Sequence, residues 1–315
     1  MSSGKKVVAL GGGHGLSATL TALRSFTSNI TAIVTVADNG GSSGRLRQEF
    51  PILPPGDLRM ALAALCSDDE WGRSWAEIMQ YRFTSEGGLN GHAVGNLLLA
   101  ALWDRDEDTV AGLDRVGALL KVIGRVLPMA AEPLDIEATF EDSMGIHIVR
   151  GQAEVATTQG RLTSLRIIPT NPTARPEALI AVRDADWITM GPGSWFSSVI
   201  PHLLVPAQRE EILKSHAKKI LLLNLDTSDK SVGEYAGYSP LDHLQILSTY
   251  APELHFDCVV VDSTAGGQSE LRQYLSTIGS EFVTADLRSE GAPFHHDVKK
   301  LGQLFSHIDR EILVG

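Results

Sequence analysis

Residues 7–16 read VVALGGGHGL, a short apolar run followed by four glycines and one histidine. The apolar residues 7–10 are typical of a strand that is buried on both faces of a parallel sheet. Apolar residues then recur at helical spacing through residues 16–26, and residues 30–36 form a second, β-branched run. Strand, helix and strand within about 30 residues predict a βαβ unit, whose loops lie at the carboxyl edge of a parallel sheet.

The remaining sequence extends this pattern. Residues 134–168 alternate apolar and polar side chains, which predicts a small antiparallel β insertion at about 130–170. Alternating helices and strands resume after it, and a last helix is predicted from about 296 to 308. The predicted fold is α/β, a Rossmann-like, doubly wound, mostly parallel sheet with that insertion, in a single domain of residues 1–315.

Composition excludes several function classes. The chain has 315 residues, 27 Lys+Arg and 38 Asp+Glu, so its net charge is −11, and 43% of its residues are apolar. This acidic balance argues against nucleic acid and anionic membranes as partners, but a local anion pocket is compatible with it. Cys66 and Cys258 have no paired spacing, which predicts no zinc site or disulfide framework. With no long apolar segment, a cytoplasmic location is expected.

The first glycine loop has the features of a phosphate site. Residues 13–18 match the G-x-G-x-x-A dinucleotide fingerprint, directly after a predicted strand. Without Cβ atoms, such a loop lets a phosphate reach N–H groups at a helix N-terminus. A tight turn is the alternative, with His14 a bystander. The predicted ligand residues here are Gly11, Gly12, Gly13, His14 and Gly15.

A second glycine loop, residues 38–45, follows the second predicted strand. Asp38 stands where a dinucleotide fold places an acid on ribose hydroxyls, and Mg²⁺ beside phosphates is a further expectation there. The hydroxyls, N–H groups and guanidinium that follow are the ingredients of an anion nest. A flexible loop with solvated arginines is the alternative. The predicted ligand residues are Asp38, Asn39, Gly41, Ser42, Ser43 and Arg45.

Other candidates lie at predicted helix starts and strand ends. Asp57 reads as a helix cap. His92 and Asn96 are four residues apart, so one helix face could present both to a base or sugar, with capping and buried polar roles as alternatives. A third glycine loop and the end of the next strand add Gly191, Gly193, Ser194, Asn224 and Asp226.

Five segments together resemble a known family, the bacterial gluconeogenesis factors, also called YvcK-like. That family is related to the 2-phospho-L-lactate transferases of deazaflavin coenzyme synthesis. The match is dense over residues 7–225 and loose beyond. The segments are VVALGGGHGL at 7–16, VTVADNGGSSGRLR at 34–47, ILPPGDL at 52–58, GHAVGNLL at 91–98 and GPGSWFSSVIPHLLVP at 191–206.

The resemblance implies a protein that binds UDP-sugars, notably UDP-N-acetylglucosamine, and supports cell-wall precursor supply and cell shape on gluconeogenic carbon sources. It implies no established reaction and no required cofactor. A cell-wall precursor enzyme and a second copy of the chain are the protein partners it suggests. Tyr274 and the residues 295–297 align with a tyrosine and an Arg-His-Asp that contact the sugar nucleotide. This sequence departs from the family pattern at His14, Asn39 and His295, which replace threonine, aspartate and arginine.

Three functions are therefore weighed. The first is a cytosolic UDP-sugar-binding regulator without catalysis. The second is a phospholactate-transferase-like enzyme in which Asp38 holds magnesium. The third, an NAD(P)-dependent oxidoreductase, depends only on the glycine fingerprint and Asp38, and no Tyr–Lys or His–Asp constellation accompanies them.

Overall fold

The computed structural model describes residues 4–225 and 238–313. In these residues the main sheet has seven strands, and every neighbouring pair is parallel. Numbered along the chain, the strands are β1 (Val7–Gly11), β2 (Ile30–Val34), β3 (Arg125–Pro128), β7 (Trp187–Met190), β8 (Lys218–Leu222), β9 (Cys258–Asp262) and β10 (Glu281–Ala285). Their spatial order is β10-β9-β8-β7-β1-β2-β3. This confirms the predicted α/β fold.

A smaller antiparallel sheet forms the predicted insertion. It has the order β5-β4-β6, and its strands are β4 (Asp135–Asp142), β5 (Gly145–Arg150) and β6 (Arg161–Ile168). Ile136, Ala138 and Phe140 alternate with more exposed residues and bury one face of β4, which is the pattern that predicted the sheet. A separate hairpin pairs β11 (Arg288–Ser289) with β12 (Ala292–His296).

Helices occupy most of the segments between strands. The α-helices are α1 (Gly13–Leu23), α2 (Gly41–Glu49), α3 (Pro55–Ala64), α4 (Glu70–Gln80), α5 (Val94–Asp106), α6 (Thr109–Leu120), α7 (Gln152–Thr157), α8 (Pro176–Arg183), α9 (Pro201–Leu204), α10 (Pro206–Lys214), α11 (Pro240–Tyr250), α12 (Gln268–Ile278) and α13 (Val298–His307). In the described ranges, π-helical segments cover Trp195–Val199 and Ile308–Ile312. Within the described ranges, no helix is long and apolar enough to cross a membrane.

Burial follows the parallel topology. All residues of β1, β7 and β9 are buried, because helices cover the main sheet. Phe26 stacks on Trp187 with ring centroids 5.0 Å apart, which ties the connection between α1 and β2 to β7.

The strand order creates a switch point between β1 and β7. From β1 the chain proceeds outward through β2 and β3 on one side, whereas the later strands continue outward on the other. In open α/β sheets the crevice outside the strand ends at such a point is the usual ligand site. The loops after β1 and β7 meet there, since a Cβ on Gly15 would lie 2.1 Å from the carbonyl oxygen of Pro192.

Several predicted boundaries were wrong. The glycine loop is shorter than predicted because Gly13 already begins α1, and most of the second glycine loop is helix α2. The helix expected from residue 92 begins at Val94. The last helix begins at Val298 because Asp297 caps it, so residues 295 and 296 belong to strand β12.

Candidate functional site

A cavity of about 550 Å³ lies at the switch point. The first turns of α1, the loop after β7, the residues beyond β8 and the β11–β12 hairpin line it. It brings together five of the ligand residues predicted from the sequence, although they are spread over most of the chain. These residues are His14, Gly15, Gly193, Asn224 and His295.

The glycine loop supplies hydrogen-bond donors to this cavity. Gly13 has a φ of +58°, which favours glycine, and it begins the first turn of α1. Within the described part of the chain, no acceptor pairs with the backbone N–H groups of His14 and Gly15. Unpaired first-turn N–H groups at the positive end of a helix dipole are suited to an anion.

The loop after β7 is a wall of the cavity rather than an anion nest. Asn224 clamps it, because its Oδ1 accepts from the Gly193 N–H at 2.8 Å and its Nδ2 donates to the Gly193 carbonyl at 2.9 Å. The Gly191 N–H donates to Leu10, and Pro192 has no N–H. Ser194 accepts from the Ser197 N–H and caps the π-helical segment. In this conformation the Gly191 and Gly193 N–H groups are therefore occupied.

The β11–β12 hairpin forms another wall of the cavity. His295, His296 and Phe294 line the cavity from β12. Burial lowers the pKa of His296 to about 4, so this imidazole is neutral at physiological pH. Phe294 is 70% exposed, which is unusual for a phenylalanine.

A second polar cluster lies on the other side of the glycine loop and centres on Asp38 and Asp57, here called the acidic pair. Asp38 Oδ1 accepts from the Gly40 N–H at 2.9 Å. Asp57 is not the N-cap of α3, which is Pro54, and it accepts instead from the backbone of Gly13. Burial and the Asp38 charge raise the pKa of Asp57 to about 7. The acidic pair is thus two carboxylates that repel each other.

Ser42, His92 and Asn96 also come together, in a buried hydrogen-bonded cluster. Ser42 Oγ lies 3.0 Å from His92 Nδ1 and accepts from Asn96 Nδ2 at 2.9 Å. His92 precedes helix α5, so the expected common helix face was wrong, and Ser42 links the two residues instead. Ser43 Oγ accepts from the Gly56 N–H and so joins α2 to α3.

Three predicted ligand residues lie elsewhere or are engaged in contacts within the chain. Arg45 donates to the carbonyls of Gly88 and Asn90. Asn39 donates to Glu154 of the insertion at 2.9 Å. Tyr274 lies on α12 and packs against the core rather than lining the cavity. Asp226 lies outside the described residues.

Sequence reasoning missed His202, whose side chain contacts the backbone of the glycine loop. His202 is fully buried, and its Nε2 lies 3.3 Å from the Gly11 carbonyl. Gln208 Nε2 lies 2.8 Å from His202 Nδ1, so the ring proton on Nε2 faces Gly11. Burial lowers the pKa of His202 to about 4. A lone histidine before a leucine pair gives no periodic signal that would reveal this contact.

The chain resembles known proteins over most of its length. The family model described as 2-phospho-L-lactate transferase CofD matches residues 7–300. The Mycobacterium tuberculosis H37Rv protein named "Putative gluconeogenesis factor" is 46% identical over 297 residues, covering 92% of this chain and 86% of that protein. The Listeria monocytogenes gluconeogenesis factor is 36% identical over 259 residues, with 82% and 78% covered.

A comparison with solved structures also finds similarity over most of the chain. A crystal structure of a UPF0052 family protein from Bacillus halodurans superposes with a TM-score of 0.85 at 33% identity, covering 97% of this chain and 100% of that one. Sequence and fold therefore agree over nearly the whole chain. On both grounds the chain belongs to the 2-phospho-L-lactate transferase CofD family, in which its similar relatives carry the name gluconeogenesis factor.

Proposed function

We propose that this protein is a UDP-sugar-binding regulator that supports cell-wall precursor synthesis and cell shape during growth on gluconeogenic carbon sources. The supporting observation is the cavity at the switch point, where unpaired N–H groups of α1 face a hairpin with histidine and phenylalanine side chains. Its volume of about 550 Å³ falls in the usual range for small-molecule sites, about 300–1,000 Å³.

The positive potential that binds the ligand comes from backbone dipoles at the start of α1, not from charged side chains. The diphosphate lies at the His14 and Gly15 N–H groups, and the His14 and His295 rings can donate hydrogen bonds to phosphate or sugar oxygens. Asn224 holds the adjacent wall in place through its two hydrogen bonds to Gly193. An anion can therefore bind although the chain has a net charge of −11.

A regulatory role fits the chemistry of the lining. Among the described residues that line the cavity, the groups able to act as a base or nucleophile are histidines and the hydroxyls of Ser17 and Thr21, and the lining includes no carboxylate to orient a histidine as a base. In this proposal the protein binds the ligand, and a partner protein responds to the ligand-bound form. An enzyme of cell-wall precursor synthesis, in the cytoplasm, is the partner proposed, and the bound form of the chain is the one that it recognises.

Calorimetry with UDP-N-acetylglucosamine, GDP and NADH, each with and without magnesium, tests the proposal. Micromolar binding of the UDP-sugar that survives chelation is expected, because the donors at α1 need no metal. Asn224→Ala should weaken this binding, and the exposed Asp104→Asn is the matched control on α5. Binding of GDP alone, dependent on magnesium, would contradict the regulator.

The acidic pair favours a second candidate, a magnesium-dependent transferase-like activity. Burial and the Asp38 charge raise the pKa of Asp57, and such a pair of carboxylates suits a divalent cation, which prefers oxygen ligands and would relieve their repulsion. Asp38 and Asp57 would hold the ion, whereas Asn39 is engaged by Glu154. Such an ion would polarise phosphate oxygens. Calorimetric titration of Mg²⁺ into the wild type and Asp38→Asn tests this site, and equal weak heats from both would exclude it.

A further inference from the structure

Phe294 exposes a large apolar ring to solvent and also lines the cavity. The residue is 70% exposed and is also part of the cavity lining, beside His295. An exposed phenylalanine forgoes the favourable free energy that burial of such a side chain contributes. A ligand surface that covers the ring would recover this energy.

The hairpin that carries Phe294 is anchored at its base. Arg288 Nε lies 3.1 Å from the fully buried Asp262 Oδ1, and its Nη2 donates to the Leu225 carbonyl at 2.5 Å. Asp262 Oδ2 also accepts from the Leu287 N–H at 2.9 Å. Burial alone would raise the pKa of Asp262, but these hydrogen bonds and one from Thr264 hold it below its usual range.

These anchors fix the hairpin relative to the cavity. Leu225, which accepts from Arg288, is itself a lining residue, and the Asp297 N–H donates to the Leu287 carbonyl at 2.8 Å. The Arg288–Asp262 ion pair therefore joins the β11–β12 hairpin to the end of β9, and the hydrogen bond to Leu225 joins it to the residues beyond β8. The hairpin that carries Phe294 is therefore held in position before a ligand binds, which reduces the conformational entropy lost on binding.

The two ends of the cavity differ in chemistry. The α1 end offers N–H groups for negative charge, and the β12 end offers a flat apolar ring. We propose that Phe294 is the platform on which the nucleobase of a nucleoside diphosphate ligand stacks, with the diphosphate at the N-terminus of α1. The proposal rests on the UDP-sugar function and assigns the orientation of that ligand. Because every base has a π-face, stacking contributes affinity, and other contacts select the base.

Calorimetry of four proteins with UDP and UDP-N-acetylglucosamine tests the assignment. Phe294→Ala should weaken both ligands by the same factor, about fivefold to a hundredfold, because the sugar lies beyond the stacked base. Phe294→Leu keeps an apolar side chain but no ring, so it should also lose affinity. Phe294→Trp should retain affinity, and its fluorescence should be quenched by UDP. Tyr81→Ala, at an aromatic residue 58% exposed and outside the cavity lining, should match the wild type.

The outcomes separate the two proposals. Unchanged dissociation constants for Phe294→Ala, or full affinity in Phe294→Leu, would overturn the stacking platform and leave the UDP-sugar function standing. A wild type that binds no uridine nucleotide would overturn both. Loss of binding in Phe294→Trp as well as Phe294→Ala would also reject the platform, because tryptophan preserves stacking.

Discussion

Single residues around the glycine loop show why that loop excludes side chains. A Cβ on Gly12 would lie 2.5 Å from both Asp57 Oδ2 and Thr35 Cγ2, and one on Gly15 would lie 2.1 Å from the Pro192 carbonyl oxygen. Contact with the protein itself therefore demands both glycines, whatever ligand binds. The fingerprint in the sequence reflects packing as well as phosphate access.

We expect Gly15→Ala to destabilise the fold and abolish UDP-sugar binding. The new methyl group meets backbone, which cannot rotate away, and overpacking of this kind costs about 1–3 kcal/mol or more. Gly87→Ala, where nothing lies within 4 Å, is the control. Thermal unfolding and calorimetry measure the two effects. Wild-type stability in Gly15→Ala would contradict the close contact between Gly15 and the Pro192 carbonyl.

Asp57 predicts how stability depends on pH. Its pKa is raised from 3.8 to about 7, so between these values the folded state holds a proton that the unfolded state releases. The free energy of unfolding should therefore fall as pH rises through this window. Asp57→Asn keeps an acceptor for Gly13 and removes the charge, so it should melt higher than the wild type at about pH 8 and similarly at about pH 5.

Circular dichroism melts at the two pH values check this expectation. Asp104→Asn, at an exposed carboxylate, is the control and should leave the pH dependence unchanged. A wild-type pH profile in Asp57→Asn would assign the dependence to other groups.

Among the secondary-structure elements, helix α7 connects the insertion to the end of β2. Asn39 donates to Glu154 and accepts from the Ala153 N–H at 3.1 Å. The Asn39 hydrogen bond lowers the pKa of Glu154, so that carboxylate is charged at neutral pH. An amide is the side chain that can both donate and accept here, which explains asparagine at this position in structural terms.

We expect Asn39→Asp to loosen α7, because two carboxylates would then face each other where one donor is needed. Hydrogen exchange of the α7 amides should accelerate. The double variant Asn39→Asp, Glu154→Gln restores a donor to the pair and should recover most of the protection. Protection unaffected by the single variant would mean that the backbone contact to Ala153 alone holds the helix.

Elements were predictable where one pattern determined them. Residues 187–190 were predicted as a strand with the observed bounds, because a buried parallel strand is a continuous apolar run. Helix α2 was not predicted, since the Gly41-Ser42-Ser43-Gly44 run has poor helix propensity, and tertiary contacts such as Ser43 to Gly56 override it. The hairpin strand β12 was not predicted either, because its pairing with β11 is short.

The site was only partly predictable for a related reason. The sequence places loops at strand ends, but it does not give strand order, and the order decides which loops meet. With β7 beside β1, His14, Gly193, Asn224 and His295 share a cavity, whereas the Asp38 loop after β2 lies with Asp57 instead. The single cleft expected from the glycine loops is thus divided into the cavity and the acidic pair.

For the whole molecule, ligand binding should protect two segments that are distant in the chain. With saturating UDP-N-acetylglucosamine, hydrogen exchange should slow at residues 13–15 and 288–296, because both line or frame the cavity. Residues 145–150 of the antiparallel sheet serve as the internal control and should not change. Protection confined to residues 38–47 would place the ligand at the acidic pair instead.

The cavity also has a consequence for synthesis on the ribosome. His14 leaves the exit tunnel long before His295 and Val298, which line the same cavity. The emerging chain can build its first βαβ unit long before it can enclose a nucleotide. A nascent chain stalled before the hairpin lacks the residues of one cavity wall, so occupancy of the complete pocket reports that translation has passed the β11–β12 hairpin.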